Sequence, residues 1–370
     1  MWWGFIRSDA PPPSVKQSVG ATKRQAEAMT THLLFVGDVN WGRQTQRRAE
    51  SSGKSYDYIT SGLSTADRSG YDAWIGNFEC PITNRDVAYA EQVSILKFNC
   101  RPEYLPTLAK YFTASTLANN HMDNNGGQWG LDQTRQNLQQ NGIQYFGTYN
   151  MSDTNDICEV ISLPAKTTPG QQDVWLPVAL CGYMYVVDAT PTEAQLAVMH
   201  QYATVMPVIA MPHMGIEYRA TAEAEKVSAY HRMIDNGADL VIGAHPHVIQ
   251  NSESYQGRLI AYSVGNFLFD QQSVSAATNL ALGVGVQLQI PAGKAVQAYQ
   301  KLGSSCKAFK DDCLQRLAAM NTKRPPIGVA YTFSCYSITS GIPVAGTDAQ
   351  CATAKQAATT DKLASLKAQW

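Results

Sequence analysis

Leu240-Val241-Ile242-Gly243-Ala244-His245-Pro246-His247 is a compact apolar run that ends in a turn carrying two imidazoles. A run this short, bounded by turn residues, reads as a buried strand. On extended backbone, histidines two apart point to opposite sides. A turn, which Pro246 and Ala244 permit, aims both at one region. The same order recurs along the chain. Residues 32–36 end in Gly37-Asp38, and residues 72–76 lead into Asn77-Phe78-Glu79. Residues 113–118 lead into Asn119-Asn120-His121, 205–211 into Pro212-His213, and 259–264 into Gly265-Asn266-Phe267.

Helical periods separate several of these runs. Ala224, Val227, His231 and Ile234 share a face over 221–235, and Asn236-Gly237 supplies the stop. Residues 128–140 carry Leu131 and Leu138 and end at Asn141-Gly142. Strands alternating with helices predict an α/β architecture. Ligands of such sheets sit beyond the carboxyl ends of the strands, so the runs would deliver their polar residues to one edge. Residues 155–187 read as two strands joined by a loop over 165–173, and 284–290 as a half-buried strand.

The chain has 370 residues, 44% of them hydrophobic and 16% charged, with a formal net charge of −1. That length suggests two domains, or one domain with an appendage. The charge balance excludes nucleic-acid binding by bulk electrostatics, and no apolar run is long enough for a membrane span. The expected organisation is a polar arm over 1–30, a body over 31–292 and a Cys-containing extension over 293–370. Eight cysteines, four of them in that extension and none as Cys-x-x-Cys, argue against a zinc ribbon and read either as reduced, buried small hydrophobes or, as their even number and clustering favour, as disulfides. Disulfides imply an extracytoplasmic place: periplasmic, cell-surface or secreted. The first residues, with Arg7 after only six, supply no signal-length apolar core.

Asp38 and Glu79 offer hard oxygens, Asn120 an amide oxygen, and His213, His245 and His247 imidazoles. Such a mixed set suits Mn, Fe or Zn better than Ca or Mg. Six ligands exceed the roughly three that one catalytic zinc takes from protein. They match two ions about 3.5–4 Å apart. Arg43 either clamps an anionic oxygen or faces solvent in a turn. Glu217 either orients His213 or another imidazole from behind or is an exposed loop carboxylate. No Gly-x-Ser-x-Gly elbow is present, which argues against an α/β-hydrolase.

The ordered motifs Gly37-Asp38-Val39-Asn40-Trp41-Gly42-Arg43, Asn77-Phe78-Glu79-Cys80-Pro81, Ala118-Asn119-Asn120-His121, Pro212-His213-Met214-Gly215-Ile216-Glu217, Gly243-Ala244-His245-Pro246-His247 and Tyr262-Ser263-Val264-Gly265-Asn266-Phe267 carry a resemblance. Together they resemble the CapA/PgsA-type bacterial capsule (poly-gamma-glutamate) synthesis proteins, relatives of calcineurin-like metallophosphoesterases. The resemblance implies a four-layer α/β/β/α sandwich with a site for one or two divalent ions between its sheets. It places Asp38, Glu79, Asn120, His213, His245 and His247 as ligands and His121 against the substrate. Asn40 stands where the related enzymes carry the histidine of Asp-x-His, as a weaker ligand. Two functions follow from it. One is a metal-dependent hydrolase acting on a phosphoester or polymer linkage. The other is an accessory protein that binds an anionic polymer without turnover, beside capsule-synthesis membrane proteins.

Overall fold

The computed structural model describes residues 27–65, 70–186, 189–306 and 310–368. The expected arm falls mostly on residues 1–26, outside the described residues, and the first strand already begins at Ala28. The strands in chain order are β1 Ala28–Val39, β2 Ala73–Phe78, β3 Phe112–Thr116, β4 Gln144–Phe146, β5 Cys158–Thr168, β6 Asp173–Val186 and β7 Val208–Gly215. They continue with β8 Leu240–Ile242, β9 Ser252–Tyr255, β10 Arg258–Ala261, β11 Asn266–Leu268, β12 Leu280–Ile290, β13 Gly328–Thr339 and β14 Ile342–Ala345.

β1 belongs to two sheets. Its start pairs with β5, from Ala28 opposite Thr168 to Thr30 opposite Lys166. Its remainder lies between β12 on one side and β2 on the other. One sheet therefore runs β14-β13-β12-β1-β2-β3-β4 and the other β5-β6-β7-β8-β10-β9. The alternation of strand side chains sorts the core. Leu33 and Phe35 of β1, Ile75 of β2 and Phe146 of β4 pack in one apolar cluster with Leu180, Ile209 and Val241 of the second sheet. Leu34, Val36 and Trp74 face the opposite way, towards Leu105, Leu131 and Leu138 of the covering helices. Leu196 and Met199 of helix Glu193–Ala203, with Ala229 and Met233 of helix Ala224–Asp235, cover the second sheet. This is the four-layer α/β/β/α sandwich.

The segment beyond residue 292 is not a separate unit. β13 pairs antiparallel with β12 along ten residues, from Gly328 opposite Gln289 to Ser337 opposite Leu280. Val329, Tyr331 and Cys335 of β13 complete the apolar cluster between the sheets. All eight cysteines are paired, each with its neighbour in the chain: Cys80–Cys100, Cys158–Cys181, Cys306–Cys313 and Cys335–Cys351. Cys158 and Cys181 sit opposite each other on β5 and β6, and the last pair ties β13 to helix Asp348–Ala357. Among the described residues no helix is long and apolar enough to cross a membrane.

A chain cut after residue 292 exposes the whole edge of β12, an aggregation template. Such a fragment should be recovered as aggregate. A monomeric 27–292 fragment unfolding at the full-length Tm would show the extension to be dispensable.

Candidate metal centre

β1, β2 and β3 run parallel, as do β6, β7 and β8. Their carboxyl ends open onto one edge of the sandwich. Asp38 lies at the end of β1, Glu79 just beyond β2, and Asn119 to His121 beyond β3. His213 lies in β7, and His245 and His247 follow β8. Two glycines let backbones close around this edge. A Cβ on Gly37 would lie 1.7 Å from the Gly265 carbonyl oxygen, and one on Gly243 would lie 2.0 Å from that of Tyr262. The histidine turn is strained: φ is +95° at His245 and +58° at His247. Each such residue costs about 1–3 kcal/mol, sustained only where surrounding structure over-determines it. Here Tyr218 N–H donates to the Pro246 carbonyl at 2.8 Å, and Ala244 N–H to that of Pro212 at 2.9 Å. The strained turn aims both rings inward.

Asp38 accepts from the Asn77 amide at 2.8 Å and from the His245 backbone N–H at 3.3 Å, and its Oδ2 lies 3.3 Å from His247 Nδ1. Burial alone would push its carboxyl up. The hydrogen bonds from His247 and Asn77 outweigh that and hold it well below the usual carboxylate range. Glu79 has no such support. Both its oxygens are buried without a hydrogen-bond partner, and Oε1 faces the Nε2 atoms of His247, His213 and His121 at 3.7, 3.8 and 3.9 Å. Those distances exceed a hydrogen bond and suit ligands sharing an ion at about 2.0–2.2 Å from each. Burial, followed by the Asp38 charge, raises the Glu79 carboxyl well above its ordinary value.

His213 Nε2 meets Asn120 Oδ1 at 2.8 Å and His245 Nδ1 at 3.1 Å, crowding three donor atoms around one point. Burial lowers His213 to about 3 and also drives His245 down. The rings are therefore neutral, the form that ligates metal. The candidate ligands fall into two groups, Asp38 with Glu79 and His213, and Glu217 with His245 and His247, each within 4.8 Å. A buried carboxylate that lacks a hydrogen-bond partner and faces three imidazoles fits a divalent cation.

The structure brings together Asp38, Glu79, Asn120, His213, His245 and His247. It leaves Asn40 out. The Asn40 oxygen accepts from Gly42 N–H at 2.8 Å and its amide donates to the Glu79 carbonyl at 3.2 Å, so this side chain braces the two turns instead of reaching the pocket. Glu217 does not stand behind His213; it joins His245 and His247 from the partly exposed side. Asn77 takes the place behind His213, with its amide nitrogen 3.1 Å from Nδ1. Arg43 is buried, not solvent-facing. It ion-pairs with Asp270 and lies 4.4 Å from the Phe98 ring centroid. His121 stacks on Phe98 at 3.9 Å, and its Nδ1 meets Asn124 Oδ1 at 2.8 Å. Asn266 holds His247 Nδ1 at 2.9 Å. Of these supporting residues, only the amides at strand ends, Asn77 and Asn266, carried a sequence signal. A cleft of about 490 Å³ opens above the cluster, lined by Arg43, His121, Glu217, Tyr218, His247 and Asp270 among others.

The family described as bacterial capsule synthesis protein PGA_cap matches residues 32–167 and 167–271. Capsule biosynthesis protein CapA of Bacillus anthracis is 27% identical over 258 residues, covering 67% of this chain and 61% of that protein. PGA biosynthesis protein CapA of Bacillus subtilis (strain 168) is 28% identical over 248 residues, covering 64% and 63%. The chain thus spans under two thirds of the length of the curated relatives it matches. Among solved structures, the calcineurin-like phosphoesterase YfkN from Bacillus subtilis is 13% identical, covers 92% of this chain and 99% of that one, and has a TM-score of 0.44. A phosphatase from Mycoplasma pneumoniae is 12% identical, covers 82% and 94%, and has a TM-score of 0.38.

Burial and the Asp38 charge raise the Glu79 carboxyl, so a bound ion competes with a proton for it. Uptake of Mn²⁺ should therefore release about one proton, and affinity should rise with pH, about tenfold per unit at most. Titration calorimetry in buffers of different ionisation enthalpy reads this directly. Glu79→Gln should abolish the buffer dependence, and a wild-type protein showing none would contradict the reading.

Proposed function

The chain belongs to the bacterial capsule synthesis protein PGA_cap family, and we propose that it acts on an anionic exopolymer or its phosphoester precursors as a metal-dependent hydrolase. The observation that carries this is the buried Glu79 carboxylate, without a hydrogen-bond partner and facing the imidazoles of His247, His213 and His121. Asp38, Glu79, Asn120, His213, His245, His247 and Glu217 would hold one or two ions, of Mn, Fe or Zn character by their mixed oxygen and nitrogen donors. When bound, such ions supply Lewis acidity towards an ester or amide oxygen and stabilise developing negative charge.

The chain's own side chains do the rest. His121 is lowered to about 4, first by burial, and is neutral in the empty cleft. With Nδ1 engaged by Asn124, its Nε2 faces Glu79 and the cleft. An anionic substrate beside it offsets the burial, so that Nε2 takes up a proton and delivers it to the leaving group. Phe98 stacked on the ring limits its rotation. Four disulfides support an extracytoplasmic place for this chemistry, since such bonds persist in oxidising compartments. The family membership favours capsule-synthesis membrane proteins as partners.

One observation favours a second reading, polymer binding without turnover. The Arg43 charge is matched by Asp270 at the cleft, leaving less free positive charge than a phosphate clamp offers. Turnover of a bis-aryl phosphodiester by Mn-loaded protein separates the two. His121→Ala should lower kcat by roughly 10²–10⁴-fold with metal content retained. Asp38→Asn and His247→Ala should lose both metal and activity. Tight metal binding with no turnover of phosphoesters or amide-linked polymer would favour the accessory role. Full activity in all three variants would remove the assignment.

A further inference from the structure

At the opposite end of the sandwich from the candidate ligands, two clefts meet along residues 320–326. The larger, about 680 Å³, is lined by Lys294, Lys301 and Lys323 with Met320, Asn321 and Thr322. The smaller, about 340 Å³, is lined by Arg258 and Arg324 with Asp239, Pro325 and Pro326. Asp239 directly precedes β8 and Arg258 opens β10. Both residues therefore sit at the strand ends remote from His245 and Asn266.

Five cationic side chains line the two clefts, against one carboxylate, and that carboxylate is engaged. Asp239 is buried, ion-pairs with Arg324 and accepts from the Val208 N–H at 2.8 Å. Arg324 also donates to the Gly237 carbonyl at 2.9 Å. Lys294, Lys301 and Lys323 form no ion pair with any described residue, while the Arg258 charge acts on Asp239. Lys294 and Lys301 are seven residues apart on helix Lys294–Cys306, hence on one face and about 10 Å apart. The disulfide Cys306–Cys313 fixes that helix to the one after it, and Tyr299 anchors it to the Val205 carbonyl at 2.5 Å. Lys294 and Lys301 therefore stand on a braced helix, with Lys323 in the segment that follows the next one, and all three lie outside the stretch that the family matches.

We propose that this track binds a linear polyanion of closely spaced carboxylates, holding the polymer at one end of the sandwich while the metal cleft lies free at the other. The proposal rests on the anionic-polymer reading above. Net charge does not oppose it, because a local track needs no global excess. The lining favours a carboxylate chain over nucleic acid, since Tyr331, the aromatic residue of the clefts, is buried and no base-stacking platform is offered. Free lysines outnumber free arginines, giving point charges in place of the forks that suit phosphate.

Fluorescence anisotropy of full-length protein with labelled poly-L-glutamate tests this, with inorganic polyphosphate and single-stranded DNA as parallel probes. Poly-L-glutamate should bind in a salt-sensitive manner and more tightly than the other two. Lys294→Glu/Lys301→Glu/Lys323→Glu should weaken it roughly thirtyfold, as expected for three exposed charge pairs. All three lysines are exposed, so phosphodiester turnover, where present, should be unchanged in the triple variant. The proposal is overturned by equal binding of the triple variant, by no binding to wild type, or by tighter binding of DNA or polyphosphate. It is also overturned if Arg48→Glu at the metal cleft, and not the triple variant, abolishes polymer binding. Absence of turnover alone would sink the hydrolase reading and leave the track standing.

Discussion

A carboxylate shut away from water must find a countercharge, and among the described residues Glu79 has no hydrogen-bond partner while the Arg43 charge does not offset its burial. Its neighbour Asp38 makes matters worse for it, because two carboxyl groups within 4.8 Å resist ionising together. Asp38 is satisfied by Asn77, His245 and His247; Glu79 is left with bare oxygens. An uncompensated buried charge costs several kcal/mol. The strained histidine turn, the glycine close approaches and the braces from Asn40 and Asn266 all hold this unfavourable arrangement in place. Together they hold open a pocket whose donor atoms suit a divalent cation.

Much of this was readable from the order of residues. Short apolar runs ending at Asp38, Glu79, His213 and His245 named both the strands and the edge at which they converge, because a strand's end and its polar cargo are adjacent in the chain. The helices Gln128–Gln140 and Ala224–Asp235 carried their periods and stops openly. What stayed hidden depends on distance along the chain. Arg43 meets Asp270 across 227 residues, so no local pattern could show that its charge is matched. Asn40 occupies a ligand's place in the motif, yet the neighbouring amide of Gly42 and the Glu79 carbonyl claim its side chain. β13 alternates Val329, Tyr331, Phe333 and Cys335, but its partner β12 lies beyond an intervening pair of helices.

The disulfide Cys80–Cys100 shows how covalent and electrostatic constraints meet. Cys80 follows Glu79 directly, and Cys100 follows the segment that brings Phe98 beneath His121. Backbone pairing of Cys100 N–H with the Pro81 carbonyl at 2.8 Å lies alongside. One crosslink thereby fixes both the unpartnered carboxylate and the wall of the cleft. The Phe98–His121 wall of the pocket comes from the first half of the chain, and the candidate ligands His213, His245 and His247 come from the second.

That division has a temporal consequence. β1, near the start of the chain, is flanked by β12 and meets β11 at Asp38, so its neighbours include segments more than 220 residues away. Contacts so remote in the chain make for slow acquisition of the native topology. During synthesis, Asp38 and Glu79 emerge long before His213, His245 and His247. A nascent chain therefore displays two ordinary solvated acids, and the pocket comes into being only once the histidine-bearing strands have docked. Any ion that the pocket holds would thereby be captured only after that docking.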